Sequence, residues 1–93
     1  MGPDFKRLAA VSIIDVCNHL GIVLKQKGKQ WRGQCPLCRH KSVRAFVVTP
    51  TLGRYWCFGH CRSGGDGLEL FAAVREIPKF EAAKEMIAIW KPS

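Results

Sequence analysis

Acidic residues are scarce in this sequence and are absent from its middle. The 93 residues include seven Asp and Glu against fifteen Lys and Arg, and residues 16–65 contain no acid at all. We find no pair of carboxylates of the kind that general acid–base catalysis uses. Because the sequence shows no activated nucleophile and no open metal position either, we predict that the chain is not an enzyme by itself.

Long apolar runs are also missing. No stretch approaches the roughly 20 apolar residues that span a bilayer, and residues 1–7 lead into an amphipathic segment rather than the apolar core of a signal peptide. We expect a cytoplasmic protein with no membrane partner and no small-molecule substrate. A chain of 93 residues has room for one small domain, residues 1–93, and chains this short often need a metal, a disulfide or a partner for stability.

Basic residues fill the segment from which acids are absent. The formal net charge is +8, and residues 16–65 hold nine Lys and Arg. These are Lys25, Lys27, Lys29, Arg32, Arg39, Lys41, Arg44, Arg54 and Arg62. A segment with this charge attracts a polyanion such as a nucleic acid.

The five cysteines do not form a disulfide pattern. Four lie in two close pairs, Cys35 with Cys38 and Cys57 with Cys61, separated by 18 residues. The spacing C-x2-C-x18-C-x3-C is typical of a tetrahedral zinc site, in which two tight turns direct their thiolates at one ion. We predict one structural Zn²⁺ whose binding contributes to folding. Cys17 falls in an apolar helical pattern and is predicted to lie in the core.

The fourth zinc ligand has alternatives. His60 also lies at a ligand spacing, and His40 is a weaker alternative. We favour Cys61, because thiolate is the softer ligand and an unpaired exposed thiol is a liability. A thioredoxin-like redox role for the first cysteine pair is disfavoured, since such pairs begin a helix and this one lies in a β-rich segment.

Periodicity and turn signals divide the chain into three parts. A helix is predicted at about residues 11–20, a zinc ribbon at about 22–65 and helices at about 66–91. The strand candidates are residues 22–27, 30–34, 43–49 and 54–58. Residues 63–65 are interpreted as a break in the chain. The predicted fold class is α+β, a zinc ribbon with a small antiparallel β-sheet flanked by N- and C-terminal helices.

Alternation in the last strand separates its side chains into two sets. Arg54 and Trp56 point to one side of the sheet, and Tyr55 and Cys57 point to the other. At most one of the two aromatic rings is therefore expected to be exposed. Phe58 and the other ring are expected to pack in the core.

The basic segment also interleaves cations with aromatic side chains. Proteins that bind single strands combine a basic track for phosphates with flat rings on which bases stack. The predicted DNA contacts are Lys29, Trp31, Arg32, Lys41, Arg44, Phe46, Arg54 and Tyr55. For each aromatic residue, packing in the core is the alternative.

These motifs resemble the Cys-His-Cys-Cys zinc finger of DnaG-type DNA primases. The similar segments are Trp31-Arg-Gly-Gln-Cys-Pro-Leu-Cys38, Phe46-Val-Val, and Tyr55-Trp-Cys-Phe-Gly-His-Cys61 followed by Gly64-Gly-Asp66. The resemblance extends over roughly residues 11–90. It places Trp31 and Tyr55 at aromatic positions of the family's sheet, Lys41 at its loop lysine and Phe46 at its strand phenylalanine.

The resemblance implies a function and a set of partners. The family's zinc ribbon binds the single-stranded DNA template and helps select where an RNA primer starts. Its polymerising chemistry belongs to a separate Toprim domain, so the resemblance implies that this chain is part of a DNA primase or primase-like protein. The implied partners are single-stranded DNA, a primase catalytic domain and a replicative helicase.

Three departures from the family pattern affect the same motifs. Cys38 stands where the family usually has His, which keeps a ligand but makes the site all-cysteine. Three residues separate Cys57 from Cys61, where two are more common; the longer spacing occurs in relatives from mobile elements and phages. Residues 41–46 form a stretch one residue longer than its family counterpart and lack its proline.

Protein docking is the alternative function. Zinc ribbons also bind proteins, and Phe80, Ala83, Ile87 and Trp90 recur at helical spacing near the C-terminus. Such an amphipathic helix is suited to dock on a helicase or polymerase. Trp90 itself is predicted to anchor the core.

Overall fold

The computed structural model of the chain describes residues 11–38 and 44–90. Its elements are α1 (Ile13–His19), β1 (Leu24–Lys27), β2 (Gln30–Gly33), β3 (Phe46–Thr49), β4 (Arg54–Cys57), β5 (Gly64–Asp66), α2 (Gly67–Arg75) and α3 (Lys79–Ile89). Three helices and one antiparallel sheet confirm the predicted α+β class. No helix within these two ranges is long and apolar enough to cross a membrane.

The sheet is a meander in which each strand pairs with its neighbours in sequence. The strand order is β1-β2-β3-β4-β5, and every neighbouring pair is antiparallel. Gly28 turns the chain between β1 and β2, and Gly53 does so between β3 and β4. Both glycines have φ of +64°, a left-handed conformation that side chains with a Cβ rarely adopt. The two turns lie between the strand candidates of the sequence analysis.

The fifth strand corrects the interpretation of residues 63–65 as a break. Gly64 and Gly65 form β5 with Asp66 and pair with Trp56 and Tyr55 of β4. A Cβ at Gly64 would overlap the Tyr55 carbonyl oxygen, so the close approach of the two strands requires glycine. Two glycines in succession carry no side-chain periodicity, and for that reason the strand was missed.

Strand register assigns each side chain to one of two faces. Residues that pair directly across antiparallel strands lie on the same face. Val48 pairs with both Trp31 and Tyr55, and Phe46 pairs with Cys57. Phe46, Val48, Tyr55 and Cys57 are all buried. We call this side of the sheet the core face and the opposite side the open face.

The three helices of the described residues complete the hydrophobic core. Their buried residues are Ile13, Val16 and Cys17 of α1, Leu70, Phe71 and Ala72 of α2, and Ala82, Ala83 and Met86 of α3. They belong to the same hydrophobic cluster as the core-face residues of β3 and β4. The Trp90 ring lies 6.4 Å from the Phe71 ring and 5.4 Å from the His19 ring, which confirms its predicted packing at the end of α3.

Helix α2 begins at β5 through a capping box. The Asp66 carboxylate accepts a hydrogen bond of 2.8 Å from the Glu69 amide, and the Glu69 carboxylate accepts one of 3.4 Å from the Asp66 amide. Such reciprocal bonds satisfy backbone donors that the first turn leaves unpaired. Both carboxylates in this part of the chain are therefore engaged in fixing the junction between the sheet and the helix.

Substitution of Gly33 by Ala is expected to lower the melting temperature by about 8 °C, which corresponds to about 2 kcal/mol for a domain of this size. A Cβ on Gly33 would overlap the Val23 carbonyl oxygen and lie 2.9 Å from Leu24 Cδ2. Gly67→Ala is the matched control, because its Cβ would meet Val16 Cγ2 at 3.4 Å, an ordinary contact. Thermal unfolding followed by circular dichroism measures both variants, and equal melting temperatures would contradict the close approach at Gly33.

Candidate metal centre and nucleic-acid interface

The sheet topology brings the two cysteine pairs to one end of the molecule. Strands β2 and β4 both run antiparallel to β3, so their C-terminal ends lie at the same end of the sheet. Phe46 of β3 pairs with Gly33 at the end of β2 and with Cys57 at the end of β4. The turn that holds Cys35 and Cys38 follows β2, and the turn that ends at Cys61 follows β4.

The four sulfur atoms form a compact cluster. The distance between the sulfur atoms of Cys35 and Cys61 is 3.7 Å, and that between Cys38 and Cys57 is 3.6 Å. All four sulfur atoms lie within 4.8 Å of one another. A disulfide would require a separation of about 2.05 Å, so these residues are free thiols.

The cluster matches one tetrahedral zinc site. Zinc–sulfur bonds of about 2.3 Å place the sulfur atoms of a regular tetrahedron about 3.8 Å apart. The two short separations in the cluster, 3.6 and 3.7 Å, agree with that edge length. The four thiols would fill the coordination shell and leave no position for a substrate, as in structural zinc sites.

Backbone amides donate hydrogen bonds to two of the four sulfur atoms. The Leu37 amide donates to the Cys35 sulfur over 3.4 Å, and the Gly59 amide donates to the Cys57 sulfur over 3.3 Å. In each turn the donor lies two residues after the cysteine. Hydrogen bonds of this kind favour the charged thiolate, which is the form that binds zinc.

The thiols need a cation to ionise together. Burial raises the pKa of both Cys35 and Cys61, and the neighbouring sulfur atoms add to the effect. A dication among the sulfur atoms reverses this preference, because it stabilises the thiolates. Zinc binding therefore releases protons, and zinc affinity decreases as the pH falls.

The remaining candidate ligands differ in position. The cluster of ligand atoms does not include His60, which is exposed. His40 lies outside the described residues. Cys17 is fully buried in the core, as predicted, and burial raises the pKa of its thiol to about 12. Its thiol therefore stays protonated and takes no part in the cluster.

A row of side chains crosses the open face of the sheet. Lys25 pairs with Arg32, Arg32 pairs with Val47, and Val47 pairs with Trp56. We call these four residues the open-face row. With strands about 4.8 Å apart, the row extends over about 14 Å from β1 to β4. Val47 is only 4% exposed although it lies on this face.

Further cations flank the open-face row. Lys27 and Arg54 lie on the same face, because each is two residues from a member of the row. A groove of about 350 Å³ beside the row is lined in part by Lys25, Lys27, Arg32 and Arg44. These four side chains give the groove a strongly positive wall.

The cations of the sheet and of the helices have different surroundings. The Arg32 guanidinium donates to neutral acceptors, the Gln30 side-chain oxygen at 3.2 Å and the Arg44 carbonyl oxygen at 3.5 Å. On the helices, ion pairs join Arg75 to Glu85 at 2.8 Å, Lys79 to Glu69 at 3.8 Å and Lys84 to Glu81 at 3.9 Å. Residues 16–65 contain no acid, so the acidic residue of the sheet is Asp66 of β5, which pairs with Arg54 at the edge away from Lys25 and Arg32.

Three aromatic residues predicted to contact DNA lie on the core face instead. Phe46 is fully buried and Tyr55 is 7% exposed, with their ring centroids 5.4 Å apart. Trp31 pairs with Val48 and packs partly buried against the same cluster. Phe46 and Tyr55 thus take the alternative position in the core, and Trp31 does not lie on the open face.

The predicted cationic contacts have mixed positions. Arg32 and Arg54 lie on the open face, and Arg44 lies beside Arg32 just before β3. Lys29 is exposed in the turn between β1 and β2. Lys41 lies outside the described residues. That these side chains contact DNA stays a prediction.

Sequence reasoning missed two exposed aromatic residues. Trp56 is 43% exposed on the open face, and Phe58, which was expected in the core, is 62% exposed. Phe58 follows the end of β4, in the turn whose Gly59 amide bonds to the Cys57 sulfur, so strand alternation does not apply to it. The exposure of Trp56 could have been predicted from Cys57. Successive residues of a strand face opposite sides, so Trp56 faces away from the core if the neighbouring zinc-ligand candidate Cys57 faces it.

The CHC2 zinc finger family model matches residues 5–91 of this chain. The chain belongs to the CHC2 zinc finger family. This CHC2 zinc finger has a cysteine at each of the four positions of the family's Cys-His-Cys-Cys motif. Cys38 takes the position of the family's histidine. The Cys38 sulfur lies in the cluster, so the substitution preserves a donor atom.

Two known proteins similar to this CHC2 zinc finger are primases. A DNA primase of Synechocystis sp. (strain PCC 6803 / Kazusa) is 40% identical over 55 residues, which cover 57% of this chain and 8% of that primase. The crystal structure of the Aquifex aeolicus primase, with its zinc-binding and RNA polymerase domains, has a TM-score of 0.84 and 30% identity over 97% of this chain. The present chain covers 22% of that chain. The fold is thus that of a primase zinc-binding domain.

Proposed function

We propose that this chain binds the single-stranded DNA template on the open face of its sheet and helps a DNA primase select primer start sites. The observation that carries this proposal is the open-face row, in which two cations and an exposed indole lie on one side of strands β1 to β4, none of which contains an acid. The phosphates of a single strand pair with Lys25 and Arg32, with Lys27, Arg44 and Arg54 adding charge around them.

A single strand suits this surface better than a duplex. The open face is part of a sheet, whereas the described helices pack their buried side chains with its core face, so none of them is presented there as a major-groove reader. An exposed indole reaches a base only where that base is unstacked from its neighbours. The proposed ligand is therefore an unpaired stretch of template.

Zinc has a structural role in this proposal. We propose Cys35, Cys38, Cys57 and Cys61 as its four ligands. They join the end of β2 to the end of β4, the two strands that carry Arg32 and Trp56. The metal thereby fixes the spacing of the open-face row without contacting the DNA, and the chain by itself performs no catalysis. The polymerising chemistry, and the contacts to a catalytic domain and a helicase, belong to the rest of a primase.

Fluorescence anisotropy with labelled oligonucleotides tests this proposal. The zinc-loaded chain is expected to bind single strands more tightly than the same sequence as a duplex. Its affinity is expected to fall with salt at a logarithmic slope of about −3, as for four to five phosphate contacts. A chelated sample is the control and is expected to lose binding. Absence of binding at low salt, or equal binding with and without zinc, would contradict the proposal.

Protein docking remains a second candidate because α3 exposes apolar side chains. Phe80 is 49% exposed and Ile89 is 40% exposed on this helix. A helicase or polymerase that binds there would be captured equally well by the chain with charge reversals at Arg44 and Arg54. Loss of capture with those reversals would instead place the contact on the sheet.

A further inference from the structure

Trp56 and Phe58 form an exposed aromatic corner at the β4 end of the open-face row. Their ring centroids are 6.3 Å apart, and the ring planes are inclined by 67°. Trp56 is 43% exposed and Phe58 is 62% exposed, and neither belongs to the hydrophobic core cluster. Two large rings kept in water beside a cationic track do not stabilise the fold through burial, so a binding role accounts for them better.

The Trp56 indole is held in place by the strand beside it. Trp56 pairs with Gly64 of β5, and a Cβ on Gly64 would lie 2.8 Å from Trp56 Cε3. The indole therefore lies against the bare backbone of Gly64, where another side chain would displace it. An aromatic ring that covers a neighbouring glycine in this way has restricted motion while its outer surface stays open.

Phe58 is held by the backbone next to the metal cluster. Its amide donates to the Ala45 carbonyl oxygen over 2.7 Å, and the following Gly59 amide bonds to the Cys57 sulfur. The second ring of the corner is thus attached to the turn that carries a proposed zinc ligand. Its position depends on the same structure that holds the cysteine cluster together.

We infer that Trp56 and Phe58 form a stacking subsite for one unpaired base of the bound strand. The inference rests on the proposed function and adds to it the point where a base, rather than a phosphate, is recognised. Lys25 and Arg32 hold phosphates about 14 Å and about 10 Å from Trp56, and the corner takes a base at the other end of the row. Because ring stacking accepts every base, the subsite supplies affinity and register rather than sequence recognition.

A double-mutant cycle between the protein and the oligonucleotide tests the subsite. Each position of a short oligonucleotide is replaced in turn by an abasic nucleotide, which keeps the phosphate and removes the ring. For the unmodified chain, one abasic position is expected to reduce affinity by about 10-fold. Trp56→Ala is expected to lose about 10-fold with the intact oligonucleotide and to show no further loss at that same position.

Matched variants separate stacking from folding. Trp56→Phe keeps a ring and is expected to keep most of the affinity, whereas Trp56→Leu keeps apolar bulk and is expected to behave like Trp56→Ala. Phe58→Ala is expected to reduce the loss of affinity that the abasic nucleotide causes at that same position. Phe80→Ala removes an equally exposed ring from α3, away from the sheet, and is expected to leave affinity unchanged. The zinc content of each variant confirms that the ribbon is folded.

The outcomes distinguish this inference from the proposal on which it rests. Salt-dependent binding of single strands with Trp56→Leu equal to Trp56→Phe would overturn the stacking subsite and leave the proposed function standing. Equal losses at every abasic position for the unmodified chain and Trp56→Ala would also overturn it. If the unmodified, zinc-loaded chain does not bind single strands, both the proposed function and the subsite are wrong.

Discussion

Removal of the zinc by a chelator is expected to unfold the sheet rather than leave an intact fold with an empty site. The cysteine cluster connects the end of β2 to the end of β4, and no other covalent or metal link joins these strands within the described residues. Structural zinc contributes about 10 kcal/mol or more to small zinc-finger folds, whereas domains as a whole are stable by about 5–15 kcal/mol. Loss of the metal thus removes most of the stability available to the chain.

Circular dichroism during titration with a chelator measures this loss. The sheet and helix signals are expected to disappear together and to return when zinc is added back. Cys17→Ala serves as a control, because its thiol is buried away from the cluster and the variant is expected to bind one zinc per chain. A chelated chain that keeps its secondary structure and its cooperative melting would contradict a structural role for the metal.

Single substitutions test whether Cys61 or His60 is the fourth zinc ligand. Cys61→Ala is expected to lose high-affinity zinc, because its sulfur is one of the four in the cluster. His60→Ala is expected to retain one zinc per chain with little change in melting temperature. The zinc content after dialysis measures both variants. Retention by Cys61→Ala together with loss by His60→Ala would show that the imidazole, and not the thiolate, is the ligand.

Neutralising three cations of the open face is expected to weaken binding of single-stranded DNA by about 100-fold at 0.1 M salt. The variant is Lys25→Gln with Arg32→Gln and Arg54→Gln, which removes the charges and leaves polar side chains. Each phosphate contact on a single strand contributes about 0.7 to the logarithmic salt slope. The triple variant should therefore show a slope about 2 smaller in magnitude, measured by anisotropy over a range of salt concentrations.

The helices provide a control with the same change in net charge. Arg75→Gln, Lys79→Gln and Lys84→Gln together also remove three positive charges, but from residues that are ion-paired with glutamates. Exposed pairs of this type contribute little stability, so the control chain stays folded. Its affinity for DNA is expected to stay within about 3-fold of the unmodified chain. Equal losses in the two triple variants would show that binding follows overall charge and not the open face.

The metal cluster and the fold class were predictable because their signals are local. Two cysteine pairs need only tight turns to direct their sulfur atoms, so spacing along the chain is sufficient evidence for a zinc site. These parts of the sequence analysis agree with the structure for that reason.

The exposure of the aromatic residues was predicted less well, because it depends on which face each strand presents to the core. Alternation correctly separated Tyr55 from Trp56, but it does not say which of the two faces the core. The zinc ligand Cys57 resolves the choice, since it shares a face with Tyr55 and so directs Trp56 outward. Applying that constraint to β4 would have assigned Tyr55 to the core.

Strand alternation does not predict the exposure of a residue that lies beyond the end of a strand. Phe58 does not follow the alternation of β4, because the chain turns there and the Gly59 amide bonds to the Cys57 sulfur. Its side chain is exposed, although apolar residues are more often buried. Lys25 and Lys27 alternate on β1 and lie on the open face, but they have no aromatic neighbour in sequence that would mark them. Only the pairing of β1 with β2 places Lys25 opposite Arg32.

Amide and indole chemical shifts of the isotope-labelled, zinc-loaded chain during titration with a short single-stranded oligonucleotide test the central claim most directly. The account predicts that the Trp56 indole N–H and the amides of Lys25 and Arg32 shift together and saturate at one affinity. Residues of α3, including Phe80 and Ile89, are expected to stay unchanged. Shifts confined to α3, or an open face that does not respond to the oligonucleotide, would contradict binding of the template on the sheet.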